Sequence, residues 1–270
     1  MLGRSIIMAF SLFSIIPMPK VEWDERNMRY VLAAFPLVGV AEAVLLGVWL
    51  WLCAVLGFDR IICALGVVLI PLVFAGGIHL DGFADTVDAL SSHAEPARKR
   101  EILKDPHIGA FAAIGVAAYL LAFFAIATQL PYGLWGLGFG NTVWAVLLIP
   151  VISRTMSGIV SLVVPGVGEA AEGGEKPGLL AAFRTSADTR GVLVVLAVIL
   201  VIALDLAGMF VGWRYLIAVI VVVALLTLWL ASMFKRKFGG ISGDLSGFYL
   251  QVIELALLVV AAVFAGVMFL

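Results

Sequence analysis

Charge is what this sequence has least of. Asp, Glu, Lys and Arg make up 13% of its 270 residues, where a soluble domain has roughly 25%. With 63% hydrophobic residues and a mean hydropathy of +1.15, that deficit excludes an ordinary soluble fold and places the chain in a membrane. A basic excess is missing too. The net charge is −1, so nothing points to nucleic acid as a partner. Cysteine is scarce. Cys53 and Cys63 lie in apolar runs and read as small core residues, not as a disulfide framework. No cleavable signal peptide is evident either. The opening "MLGRSIIMAFSLFSIIPMP" has an apolar stretch but no small-residue cleavage site, and Pro17 and Pro19 close it early. About 12 residues between Arg4 and Pro17 are too few to cross a bilayer. Residues 1–19 are expected as an interfacial or re-entrant segment. No internal repeat is visible, which speaks against transporters built from paired repeats and for a single domain over 1–270.

What is abundant is long apolar runs. Spans need about 20 apolar residues each. Candidates are 31–56, 61–77, 108–130, 139–164, 191–211, 214–234 and 248–269. The expected fold is all-α: a polytopic membrane protein of about seven transmembrane helices, six to eight. Polar segments lie between them at 18–30, 78–107, 165–190 and 235–247. These hold thirteen of the basic residues: Lys20, Arg26 and Arg29; Arg98, Lys99, Arg100 and Lys104; Lys176, Arg184 and Arg190; Lys235, Arg236 and Lys237. The short connections hold Arg60 and, at a helix edge, Arg214. The positive-inside rule then puts all four polar segments in the cytoplasm and the C-terminus outside, in a cell (inner) membrane. Segment 165–190 reads as a Gly-rich loop in which "LLAAF" forms a short helix or dips into the interface.

The acids gather in one place. "AGGIHLDGFADTVDALSSH", residues 75–93, holds Asp81, Asp85 and Asp88. Their i, i+4, i+7 spacing stacks them on one helix face. Three like charges on one stripe repel, and a divalent cation reverses the sign. Mg²⁺ takes oxygen ligands and shares its remaining positions with waters or substrate phosphates. Phosphoryl transfer needs that arrangement. Gly76, Gly77 and Gly82 would let backbone or phosphate approach closely. His79 falls off the acid stripe on a regular helix, and reaches it only if 76–80 is a turn. The alternative for the stripe is a solvated helix end, or carboxylates that bind Na⁺ or H⁺ in a transporter.

Two further stretches extend the site. "SSHAEPARKREILKDPHIGAF" starts a short basic helix at Pro96. Its Arg98–Arg100 run reads as headgroup charges, whereas Lys104 and Asp105 abut the helix mouth and are candidates for a diphosphate ligand. "FKRKFGGISGDLSGFYLQVIELALL" places Asp244 in a Gly/Ser-rich turn on the same side as the first acids. Glu254 lies deeper in that last span, and Arg154 is the one basic residue in mid-span. Arg154 is either half of a buried ion pair with Glu254 or a partner for substrate phosphate. Glu42 and Asp205 carry weaker claims.

These residues resemble those of the cobalamin synthase family. "GGIHLDGFADTVDAL" is similar to its signature, approximately GGLHxDGLADTADG, with Ala89 where the family tends to have Gly. "FPLVG" at 35–39, "REILKDPHIGAF", "SRTMS" around Arg154, "GLLAAF" at 178–183 and "GDLSGFYLQVIEL" are similar to further pieces in the family's order. Pro106 and His107 stand where the family has a Ser-Arg pair. The resemblance implies an Mg²⁺-dependent transferase of the last steps of cobalamin biosynthesis. It would join adenosylcobinamide-GDP and α-ribazole, or its 5′-phosphate, and release GMP. It implies Asp81, Asp85, Asp88 and Asp244 as metal ligands. A proton acceptor would come from His79, Asp81 or Asp85, with Lys104, Asp105, Arg154, Gly77 and Gly82 on the substrate and 78–107 and 235–247 as the catalytic segments. A homo-oligomer stays open. The rivals are a CDP-alcohol phosphatidyltransferase-like enzyme, echoed in Gly77-x₃-Asp81-x₃-Asp85 but lacking that pattern's first Asp pair, and a cation-coupled transporter.

Overall fold

The computed structural model describes residues 2–132, 134–135, 138–167 and 178–267. Lys176, counted among the basic residues above, lies outside them. The helices are α1 (Leu2–Phe13), α2 (Glu25–Met28), α3 (Val31–Leu56), α4 (Arg60–Phe74), α5 (Ile78–Ser91), α6 (Pro96–Ile102), α7 (Ala110–Ala127), α8 (Asn141–Val163), α9 (Leu179–Ser186), α10 (Thr189–Phe210), α11 (Trp213–Phe238) and α12 (Gly243–Val267). Between α7 and α8, two-residue strands β1 (Leu134–Trp135) and β2 (Gly138–Phe139) pair antiparallel. Six helices, α3, α7, α8, α10, α11 and α12, are long and apolar enough to cross a membrane. The all-α, multi-pass architecture expected from the apolar runs is therefore the one observed. The short helix expected in "LLAAF" is α9.

Local chemistry sets the helix ends. Asp59 and Asp188 cap α4 and α10, accepting from Ile62 N at 2.9 Å and Gly191 N at 3.3 Å. Gly57, at φ 67°, closes α3 in the left-handed region where a side chain would be disfavoured. α8 forms the centre of the bundle. It is buried along most of its length, from Val143 to Leu162, and packs on α3, α10 and α12. The outer helices turn Leu and Val side chains outward along their length, as a lipid-facing surface requires.

One expectation changes form. The span expected over 61–77 stops at Phe74, and the chain then bends by 90° into α5. Gly76 and Gly77, at φ 61° and 77°, make the bend. Ile15 N, beyond α1, donates to Phe74 O at 2.8 Å and satisfies a carbonyl at the broken end. Residues 78–91 are thus not a free polar loop. They form a helix packed on α12 and α7, and α4 with α5 is a bent pair that brings the count of apolar spans to seven if the pair is counted as one.

Cross-contacts show which helix ends gather. Gly158 of α8 meets Leu32 of α3 and Leu196 of α10. Ser157 and Ser161 of α8 each hydrogen-bond Ser246 Oγ of α12 at 2.8 Å. Arg100 Nη1 of α6 donates to Phe238 O, the last carbonyl of α11, at 3.2 Å. One end of the bundle therefore collects the ends of α3, α5, α7, α8, α10, α11 and α12, and the acids with them.

Candidate functional site

The stripe forms as its spacing predicts. Ile78–Ser91 is helical, so Asp81, Asp85 and Asp88 fall on one face. Gly82, Phe83, Thr86 and Ala89 fill the buried side. Phe83 anchors α5, its ring 4.9 Å from Tyr119 of α7 and 5.3 Å from Phe248 of α12. Asp81 is exposed, whereas Asp85 and Asp88 are half-buried. Asp244, also half-buried, sits in the first turn of α12.

Two helices bring these acids together because their backbones touch. A methyl group on Gly82 would stand 2.9 Å from Asp244 Cα. The charges of Asp81, Asp244 and Asp88 all act on Asp85. The turn that carries Asp244 is stitched to the segment after α8: Ile241 N donates to Pro165 O at 2.8 Å, and Val167 N donates to Ile241 O at 3.0 Å. Gly240 lies so close to Pro165 and Gly166 that a side chain would collide with their backbone.

Among the described residues none of the four carboxylates takes part in an ion pair. Asp244 accepts from Ser242 Oγ at 3.4 Å. Asp88 has a second task. Its Oδ1 accepts from Ala112 N at 3.4 Å, and Gly109 leaves room for the carboxylate at the start of α7, whose own cap residue supplies no side chain. No three His, Cys, Asp or Glu side chains among the described residues are close enough to cage a metal alone. The donor set is nevertheless all hard oxygen and uncompensated. It fits a cation like Mg²⁺ that takes one or two carboxylates and completes its shell with water and phosphate.

The other expected site residues fare differently. His79 lies opposite the acids, 6% exposed, its ring 6.0 Å from Phe13 and 5.7 Å from Phe35. Because the helix begins at Ile78, no turn carries His79 round to the stripe, and its Nε2 has no partner among the described residues. The structure thus sets His79 apart from the acid stripe. Arg154 is 1% exposed and bonded to both Glu42 and Glu254. Of the two readings of Arg154, this is the ion pair. Glu42, given a weak claim above, is its second partner. Gly77 serves the α4–α5 bend, and Gly82 the α5–α12 contact. Lys104 is exposed just past α6. Asp105, also exposed, accepts from His107 N at 3.0 Å and lies 2.7 Å from His107 Nδ1. The backbone N–H and ring of His107 hold the Asp105 carboxyl below its usual range.

The basic run of α6 does more than face headgroups. Lys99 is 4% exposed, and its Nζ donates to Ala89 O at 2.8 Å and Leu90 O at 3.4 Å, at the end of α5. With Arg100 on Phe238 O, α6 ties the acid helix to α11. Nothing in the local sequence sets Lys99 apart from Arg98 and Arg100, because the carbonyls that it serves lie on another helix. Arg184 of α9 likewise donates to Ser161 O and to Val164 O at the end of α8.

Residues 5–262 match the family Cobalamin-5-phosphate synthase. The chain is similar to the adenosylcobinamide-GDP ribazoletransferase of Lachnoclostridium phytofermentans, 32% identical over 257 residues, 93% of this chain and 90% of that protein. The proteins of the same name from Clostridium perfringens strain SM101 and Clostridium botulinum strain Alaska E43 are each 30% identical. They cover 93% and 97% of this chain, and 94% and 98% of their own lengths. No solved structure matches.

Proposed function

The chain belongs to the cobalamin-5-phosphate synthase family, and we propose that it joins α-ribazole, or its 5′-phosphate, to adenosylcobinamide-GDP with release of GMP, using Mg²⁺ on the cytoplasmic side of the cell membrane. The observation that supports this most is four carboxylates from two helices, Asp81, Asp85, Asp88 and Asp244, gathered at one bundle end without an ion-pair partner among the described residues. Anions in such number invite a cation bound to a phosphate, and a diphosphate is what this substrate brings.

In the reaction a ribose hydroxyl attacks the cobinamide-linked phosphorus. The new O–P bond forms as the bridging O–P bond breaks, and GMP leaves with the electron pair. Mg²⁺ bound here would neutralise charge on the diphosphate and its leaving oxygen. One or two of Asp81, Asp85 and Asp244 would hold that ion directly and the rest through its waters, with Asp88 turned in part to the α7 terminus. One of Asp81 and Asp85, not His79, would take the hydroxyl proton, because only they share a face open to substrate. Lys104 and Asp105, exposed at the mouth, would meet the soluble portion of the substrates. The thirteen-to-two distribution of basic residues supports the cytoplasmic orientation.

The test is transfer by the purified protein in lipid nanodiscs, read as GMP released from adenosylcobinamide-GDP with each acceptor, with and without Mg²⁺. Release that depends on both acceptor and Mg²⁺ is the expected result. Release indifferent to Mg²⁺ would remove the metal from the reading.

A further inference from the structure

A second charged cluster lies inside the bundle, apart from the acid stripe. Glu42 of α3, Arg154 of α8 and Glu254 of α12 are 1%, 1% and 3% exposed. Arg154 Nη2 donates to Glu42 Oε2 at 2.5 Å, and Nη1 donates to Glu254 Oε1 at 3.1 Å. Ser153 Oγ donates to the same Glu254 oxygen at 2.9 Å. Two carboxylates facing one guanidinium leave one negative charge over. No further ion pair reaches either glutamate among the described residues. An uncompensated charge in a dry interior costs several kcal/mol.

The space beside the surplus charge is small, and Leu46, Phe123, Ile149 and Leu258 make much of its wall apolar. A cavity of about 10 Å³ lies against both Glu42 and Glu254, room for about one water-sized occupant. Val67, Pro71, Val146 and Pro150 also line it. Pro71 and Pro150 sit inside α4 and α8 and have no N–H. Each therefore removes the helical donor of the carbonyl four residues earlier, and those carbonyls belong to Val67 and Val146. Within that apolar wall the polar groups are two carboxylates, beside two residues whose carbonyls have lost their helical donors. We propose that it binds one monovalent cation, a sodium ion or a proton held on the carboxylates, which neutralises the triad. This site is independent of the transferase reading and of the metal at the acid stripe. The other titratable groups nearest to it are Tyr119 of α7, whose hydroxyl donates to Gln251 O at 3.3 Å, and His79 of α5; α4 carries Cys63 one turn before Val67.

Thermal unfolding of the detergent-purified chain tests the charge count. Tm is read in sodium against choline at constant ionic strength, and at pH 6 against pH 9, for wild type, Glu42→Gln, Glu254→Gln and the double variant. Each single variant leaves one carboxylate to one guanidinium and needs no cation. The wild type is expected to gain about 3 °C or more from sodium, or from the lower pH if the cation is a proton. Both single variants should lose that gain and match or exceed the wild type without the cation. The double variant leaves Arg154 unpaired and should melt below either. Taking pH effects as the difference between wild type and single variant cancels His79, Tyr119 and the acid stripe, which all four proteins share. A wild type that responds to neither cation more than the single variants do would overturn the proposal. So would single variants that fail to fold, because charge-balanced triads should fold.

Discussion

Gly82 of α5 lies against the main chain of Asp244 in the first turn of α12, close enough that a methyl group would stand 2.9 Å from the Asp244 Cα. That contact lets acids 159 to 163 positions apart in sequence, Asp85 or Asp81 and Asp244, share one site. Gly247 mirrors it, since a methyl group there would lie 3.1 Å from His79 O. Neither neighbour is a flexible side-chain end, so neither can move aside alone.

Gly82→Ala should therefore separate α5 from α12. Overpacking at a tight contact costs about 1–3 kcal/mol, and a shift of about 1 Å in a positioned group costs on the order of a hundredfold in rate. The expected variant inserts, melts lower and loses about two orders of magnitude in transfer. Full transfer by Gly82→Ala would show that the spacing of the two helices does not matter to the acids.

Lys99→Met should loosen the end of α5. The Lys99 ammonium serves Ala89 O and Leu90 O, and leaving buried carbonyls unserved costs about 1–3 kcal/mol. Burial, and the charge of Lys237 near it, lower the Lys99 pKa below 10.5. Between the lowered value and 10.5 the unfolded chain binds more protons than the folded one, so this residue makes stability rise with pH across that window. Denaturant unfolding at pH 8 and pH 10 should show that rise in the wild type and a smaller one in Lys99→Met. The same rise in both would mean that the ammonium is not held as described.

Much of the fold was readable from composition alone. The run 31–56 became α3 residue for residue, because apolar length and the Gly57–Asp59 stop are local facts. α5 was readable as a helix with acids on one side. Its course back into the bundle was not, because that depends on two left-handed glycines and on Gly82 meeting a backbone far away in sequence. Lys99 looked like any headgroup lysine. The carbonyls it serves come into reach only after the chain folds back by ten residues. Arg154 posed two readings for the same reason: Glu42 and Glu254 lie 112 and 100 residues away, and no local pattern says which helices face each other. His79 is the opposite case: a regular helix from Ile78 turns it away from the acids, as its spacing from Asp81 already implies.

Ser92, exposed just past α5, reports the orientation of the whole site. In a background lacking Cys53 and Cys63, Ser92→Cys should react with an impermeant thiol reagent only after the cell membrane is opened. The basis is the gathering of basic residues at the acid end of the bundle. Labelling of intact cells would place the carboxylates outside, away from nucleotide substrates.

Asp85 and Asp88 separate the chemical role of the stripe from a structural one. Asp85 is half-buried, feels the charges of Asp81, Asp244 and Asp88, and makes no hydrogen bond or ion pair of its own among the described residues. Asp88 is the member that also serves Ala112 N at the start of α7. Asp85→Asn keeps the size of the side chain and removes one charge from the cluster. It should lose about 10²–10³-fold in Mg²⁺-dependent transfer, the usual worth of one electrostatic stabiliser. It should also melt higher than wild type in metal-free detergent, because repulsion along the stripe falls. Asp88→Asn relieves the same repulsion but weakens an anion at a helix N-terminus, which contributes about 0.3–1 kcal/mol. Its gain in Tm should be smaller than that of Asp85→Asn, or reversed. If Asp85→Asn keeps full turnover and its magnesium requirement is unchanged, the stripe is a solvated helix end and the transfer chemistry lies elsewhere.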